Sequence, residues 1–218
     1  MTLLPLVTAL VAGFAHALEP DHMAAVTTFV SRRPRPVEAL GFGVRWGLGH
    51  SAAIVAAGGV LVLLDLRVPD GVARSLEFGV GGLLVVLGGW LLWSLLHARA
   101  HALADDGAQP RTHGGHRHGR GGSLWVGVAH GLAGTAPLIA LLPIALTASP
   151  WMAGGYLLFF GVGTTVAMGI YAVVAGVLFD QAGSRFPGLA SLLRAATALG
   201  SVALGIAWMY GAAVGGAV

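Results

Sequence analysis

Gly13-Phe14-Ala15-His16-Ala17-Leu18-Glu19-Pro20-Asp21-His22 sets two imidazoles, two carboxylates and a proline within seven residues of a run otherwise apolar enough to lie in lipid. A carboxylate at mid-membrane costs about 2.5 to 3.5 kcal/mol on insertion scales, so an Asp beside a His at that depth marks a functional site. On one continuous helix, at about 100° per residue, Asp21 and His22 would sit roughly 140° and 240° round from His16 and could not share its face. Pro20 changes this. Its nitrogen cannot donate to the carbonyl four residues back, which belongs to His16, and its ring presses on that carbonyl. The helix is therefore expected to break at the residues that carry the donors. Broken helices at membrane depth are tolerated where they are buried in protein or line a cavity, and they form the substrate sites of many transporters.

The rest of the chain supports a bilayer setting. Of 218 residues 56% are hydrophobic and only 10% are charged, and the mean hydropathy is +0.81. A soluble domain would carry about 25% charged residues, so the composition predicts an all-α integral membrane protein. The chain has no cysteine, which excludes disulfides, thiolate metal sites and thiol relays. A pI near 10.2 does not point to nucleic acid, because every basic residue is an arginine and these sit in short loops between apolar spans. Met1 opens straight into an apolar run with no basic leader, so this segment is expected to be the first span and not a removable signal.

Six stretches reach the roughly 20 residues that a hydrocarbon core requires: 3–30, 37–64, 76–98, 123–147, 151–178 and 190–216. Nine arginines (32, 33, 35, 99, 111, 117, 120, 185 and 194) fall on one side, against Arg67 and Arg74 on the other. That bias puts the 99–122 segment in the cytoplasm and both termini outside it, for a multi-pass protein of the cell inner (plasma) membrane. Sliding the chain by 114 residues lays Gly13-Phe14-Ala15-His16-Ala17-Leu18 on Gly127-Val128-Ala129-His130-Gly131-Leu132, and Gly47-Leu48-Gly49-His50-Ser51 on Gly161-Val162-Gly163-Thr164-Thr165. Three spans separate equivalent points, and an odd number reverses direction. The expected plan is two inverted three-helix repeats, 1–98 and 123–218, joined by the His-rich 99–122 loop. Spans one and four should be broken, the fourth at Pro137 and Pro143.

Imidazoles with one or two carboxylates suit a borderline divalent transition ion and not Mg or Ca, which prefer all-oxygen shells. His16-x4-Asp21-His22, followed by Gly49-His50-Ser51 on the next span and His130-Gly131-Leu132-Ala133-Gly134 in the second half, resembles the nickel/cobalt transporter family (NicO, or NiCoT), in its short urease-linked form. The resemblance implies transport of Ni(II) or Co(II), with uptake as first choice and efflux as the alternative. It gives His16, Asp21 and His22 the selectivity and transport roles, with His50 contributing. No prosthetic group is implied, since the metal is cargo. The chain is expected not to be an enzyme, and no phosphate-binding G-x4-G-K-[ST] loop is present.

His130 joins the expected metal set through its correspondence with His16. Glu19 is either a further metal ligand or gate acid, or the partner of Arg45. Thr164, Thr165 and Met168 are weak candidates, because Thr commonly bonds its own helix backbone. His97 and His101, four residues apart, could share a helix face, and with His113, His116 and His118 they form an imidazole-rich tract suited to metal capture or to docking a cytoplasmic metallochaperone. Homo-oligomerisation stays open. Trp90, Trp93, Trp125 and Trp151 are read as interfacial anchors. Three rivals stand beside transport of a metal: a membrane-embedded zinc metalloenzyme with Glu19 as base, a haem bundle with His16 and His130 as axial ligands, and an anion or metabolite exporter.

Overall fold

Proline placement decides where the helices begin. The computed structural model, which describes residues 3–31, 35–64, 68–104, 122–133 and 149–215, is all-helical over those residues. Its helices are α1 (Leu4–His16), α2 (Pro20–Val30), α3 (Pro36–Leu63), α4 (Asp70–Ala104), α5 (Gly122–Ala133), α6 (Pro150–Arg185) and α7 (Pro187–Val214). Four of the seven open on a proline, whose missing N–H costs nothing at the first helical position. The expected first span is thus two helices, parted just before Pro20.

Among the described residues three helices are long and apolar enough to cross a membrane: Asp70–Ala98 of α4, Trp151–Arg185 of α6, and α7. At 28 residues α3 is also long, about 42 Å at 1.5 Å per residue, and carries Glu38, Arg45 and His50 along it. The boundary expected at residue 98 shifts, because α4 runs on to Ala104 and carries His97 and His101 on continuous helix. His113, His116 and His118, like the expected break at Pro137 and Pro143, lie outside the described residues.

Leu158, Val162, Val166, Ile170, Val174 and Leu178 recur every fourth residue along α6 and are all exposed. An apolar stripe of that length suits lipid and would be an aggregation surface in water. Inside, the packing is made by glycines, as expected where lipid supplies no hydrophobic drive and helices must touch by shape. Gly13 of α1 lies against the carbonyl of Phe160 in α6, and Gly127 of α5 against the carbonyl of Trp46 in α3. Gly163 abuts the carbonyl of Leu10, and Gly49 that of Leu124. Gly47 meets Thr165, and Gly161 meets Ser51. Each contact becomes its mate when both residues are displaced by 114 in opposite senses. The hydroxyls of Ser51 and Thr165, themselves 114 apart, meet at 3.2 Å. A separate pair, α4 and α7, is joined through Gly81 against Gly205 and Gly88 against Ala198.

No glycine lies in α2, which is held by side chains. Its Thr27 hydroxyl meets the Tyr171 hydroxyl of α6 at 2.6 Å, and Arg194 Nε of α7 donates to the Ser31 carbonyl at 2.9 Å. Phe29 packs on Phe42 and Trp46.

Candidate metal centre

The site begins with a refused hydrogen bond. Pro20 has no N–H for the His16 carbonyl, and Glu19 N donates to that carbonyl instead, at 3.0 Å. Glu19, as the residue before a proline, takes extended angles (φ −64°, ψ 149°) and turns the chain out of α1. Pro20 then restarts the helix, with Asp21 and His22 in the first turn of α2. The turn brings the His16 and His22 rings to 4.5 Å between centroids, which a continuous helix would have forbidden.

His50 from α3 and His130 from α5 complete the cluster, and both are fully buried. His16 Nε2 lies 3.3 Å from His50 Nε2, and His22 Nε2 lies 3.4 Å from the same atom. Asp21 stands behind them. Its Oδ1 accepts from His22 Nδ1 at 2.9 Å and its Oδ2 from His130 Nε2 at 3.1 Å. A carboxylate on Nδ1–H leaves the lone pair of His22 on Nε2, aimed at His16 and His50, in the carboxylate–histidine arrangement that orients metal ligands. An ion held at about 2.0–2.1 Å by imidazoles at the tetrahedral angle sets neighbouring nitrogens about 3.3–3.4 Å apart. The measured separations fall in that range.

The structure thus brings five of the six expected residues into one buried cluster and sets the sixth at its rim. Glu19 is 43% exposed, and its Oε1 is 3.1 Å from His16 Nδ1, the ring edge opposite the one that faces His50. Arg45, the alternative partner for Glu19, instead donates from Nε to Ser123 Oγ at 3.2 Å. The Thr164 hydroxyl donates to the carbonyls of Gly13 and Phe160, both at 3.0 Å, and so serves packing. Met168 is core. Of the four tryptophans read as anchors, Trp93, Trp125 and Trp151 are exposed, whereas Trp90 is half-buried with its ring 5.9 Å from that of Phe29.

Two aromatic neighbours were not foreseen. Phe160 backs His16, with ring centroids 5.4 Å apart, and Trp46 backs His130 at 5.7 Å. Both the histidines and the aromatics are separated by 114 residues, so the offset that paired His16 with His130 would also have found these. Among the described residues four buried ring nitrogens here, His16 Nδ1, His50 Nδ1, His130 Nδ1 and Trp46 Nε1, have no hydrogen-bond partner, although the Glu19 carboxylate stands 3.1 Å from the first.

With this geometry in place, comparison with known proteins is informative. A urease accessory protein, UreH, of Bacillus sp. (strain TB-90) is 32% identical over 206 residues, spanning 92% of this chain and 88% of the relative. The chain belongs to the nickel/cobalt transporter family. A protein of Methanocaldococcus jannaschii named as a candidate nickel/cobalt efflux system is 25% identical over 77% of this chain and 74% of its own length. The chloroplast protein FOR GROWTH AND FERTILITY 2 of Arabidopsis thaliana is 29% identical over 92% of this chain, which spans 54% of that longer protein. The two bacterial and archaeal relatives carry accessory and transport names, and the chain is not an enzyme. No family model and no solved structure matches it.

Proposed function

We propose that this chain carries Ni(II), and also Co(II), across the cell membrane through the cluster of His16, Asp21, His22, His50 and His130. One observation carries the reading: His50 Nε2 lies 3.3 Å from His16 Nε2 and 3.4 Å from His22 Nε2, the spacing of tetrahedral ligands, and Asp21 holds His22 by Nδ1 and leaves its lone pair on Nε2. Metal transport at the family level agrees with it. Neutral imidazole is the ligand form, so protons compete with the ion and binding weakens on acidification. In this role Asp21 orients His22 and His130 and neutralises charge, and Glu19 stands at the approach to His16.

The architecture we propose is six spans in two inverted repeats, 1–98 and 123–218, with the 99–122 segment and its histidines in the cytoplasm. The glycine contacts that map onto one another at 114 residues support the repeat, and the arginine distribution supports the orientation. Uptake is the favoured direction, in keeping with a relative named a urease accessory protein. Efflux is the second reading, because the archaeal relative is named for it.

Radioactive nickel flux into proteoliposomes tests the function. The wild type is expected to carry nickel well above empty vesicles, and His22→Ala to fall to their level. Wild-type vesicles no better than empty ones would sink the proposal. Direction is read in cells, where deletion lowers cell nickel for an importer and raises it for an exporter.

A further inference from the structure

The donors of the cluster do not form one shell. His16, His22 and His50 offer three ligand atoms within 4.8 Å of one another, and Asp21, His22 and His130 offer another such set. His22 belongs to both, and its two ring nitrogens face different neighbours. Nε2 faces His50 at 3.4 Å, and Nδ1 faces Asp21 at 2.9 Å. The two nitrogens of an imidazole point out of different edges, so one ion cannot use both.

We propose, resting on the transport reading above, that the ion occupies two overlapping three-donor positions in turn: first His16/His22/His50, then Asp21/His22/His130. The first is all nitrogen and the second is mixed nitrogen and oxygen. Three observations order them. Each position is anchored by one member of the His16 and His130 pair, separated by 114 residues and backed by Phe160 and Trp46, which are separated by the same interval. The His16 side reaches the surface through Glu19, which is 43% exposed, whereas His130 is sealed at 0%. Among the described residues His130 is bonded through Nε2 alone, to Asp21, and its buried Nδ1 has no hydrogen-bond partner. Its ring is thus tied on the donor edge alone, and an ion arriving between Asp21 and His130 takes the place of the Nε2 proton, which the unpartnered Nδ1 accepts as the ring changes tautomer.

A neutral imidazole has one lone pair, so sharing His22 makes the positions mutually exclusive: the chain holds one ion at a time, and handover moves the ion from Nε2 to Nδ1 as the ring proton passes from Nδ1 to Nε2. Binding and transport therefore separate in the variants. His130→Gln keeps the first position intact and blocks the handover. It should bind Co(II) with an affinity within about threefold of the wild type, yet lose nickel flux by about tenfold or more, a Vmax loss at unchanged KM. His50→Gln removes a donor from the first position only. It should weaken Co(II) binding by about tenfold or more and shift the bound Co(II) visible spectrum toward mixed nitrogen and oxygen ligation. His22→Gln should bind no Co(II).

The experiment is Co(II) titration of each purified full-length variant, read by visible absorption and calorimetry, together with flux in proteoliposomes. Monodispersity by gel filtration shows that each variant is folded. His130→Asp, which restores an oxygen donor, should recover part of the flux lost in His130→Gln. The two-position scheme is overturned if His130→Gln weakens Co(II) binding as far as His50→Gln does, or if it leaves flux within twofold of wild type. Failure of the wild type itself to bind or carry the ion would instead overturn the transport reading beneath it.

Discussion

His50 and Thr164 are separated by 114 residues, and each lies on a long helix seated against a glycine-bearing shorter one. Around them the backbone is treated alike: Gly49 is pressed to the Leu124 carbonyl, and Gly163 to the Leu10 carbonyl. The side chains do opposite things. The Thr164 hydroxyl is spent on the carbonyls of Gly13 and Phe160, whereas the His50 imidazole turns to His16 and His22. The difference teaches that close packing comes from glycine and main chain, which both regions share, while ion chemistry is loaded into one of them. Because the contacts are made by backbone, a side chain can change from hydroxyl to imidazole without loosening the bundle.

The shared packing can be broken most severely. Gly13→Leu and Gly127→Leu each drive a side chain into a carbonyl of the neighbouring helix, which has no rotamer to give way. Each is expected to cost more than about 4 kcal/mol, beyond ordinary overpacking. Neither should yield a monodisperse protein on gel filtration. Gly154→Leu, which meets nothing within 4 Å, should be silent. If Gly13→Leu folded and Gly127→Leu did not, the two regions would not be equivalent.

A smaller and more selective effect separates the two positions themselves. His50→Thr copies the Thr164 side of the molecule onto the His50 side, and nickel flux should fall by about tenfold or more while the protein stays monodisperse. Thr164→Val should do the reverse, costing about 1 kcal/mol of stability for the lost hydroxyl bonds and leaving flux within about twofold. Thermal unfolding in detergent and flux in vesicles read the two outcomes. A large flux loss in folded Thr164→Val would mean that Thr164 touches the ion after all.

How much of this was legible depends on whether a feature is local. The break at Pro20 follows from a ring and a missing N–H, and the chain behaves accordingly, down to the transfer of the His16 carbonyl to Glu19. The 114-residue offset is likewise readable, because glycines stand out where helices touch. Asp21 was read as a ligand, and its observed partners, His22 on one oxygen and His130 on the other, exist only once α2 and α5 meet. The partner of Arg45 could not be read either, since Ser123 comes to it from 78 residues away. The continuation of α4 past residue 98 has a simpler cause: arginine and histidine tolerate a helix end as readily as a loop, so composition alone marks no stop there.

Glu19 is where the comparison sharpens most finely, because its counterpart at an offset of 114 is Ala133, which has no charge to offer. If the carboxylate only raises the local concentration of cations before they reach His16, Glu19→Gln should raise the KM for nickel by about two- to threefold and leave Vmax unchanged. The effect should shrink as salt is added, because a half-exposed charge acts through screened attraction. A tenfold loss that persists at high salt would place Glu19 among the ligands. In that case each side would hold one acid, Glu19 with His16 and Asp21 with His130, and Asp21 would no longer be the sole carboxylate at the centre.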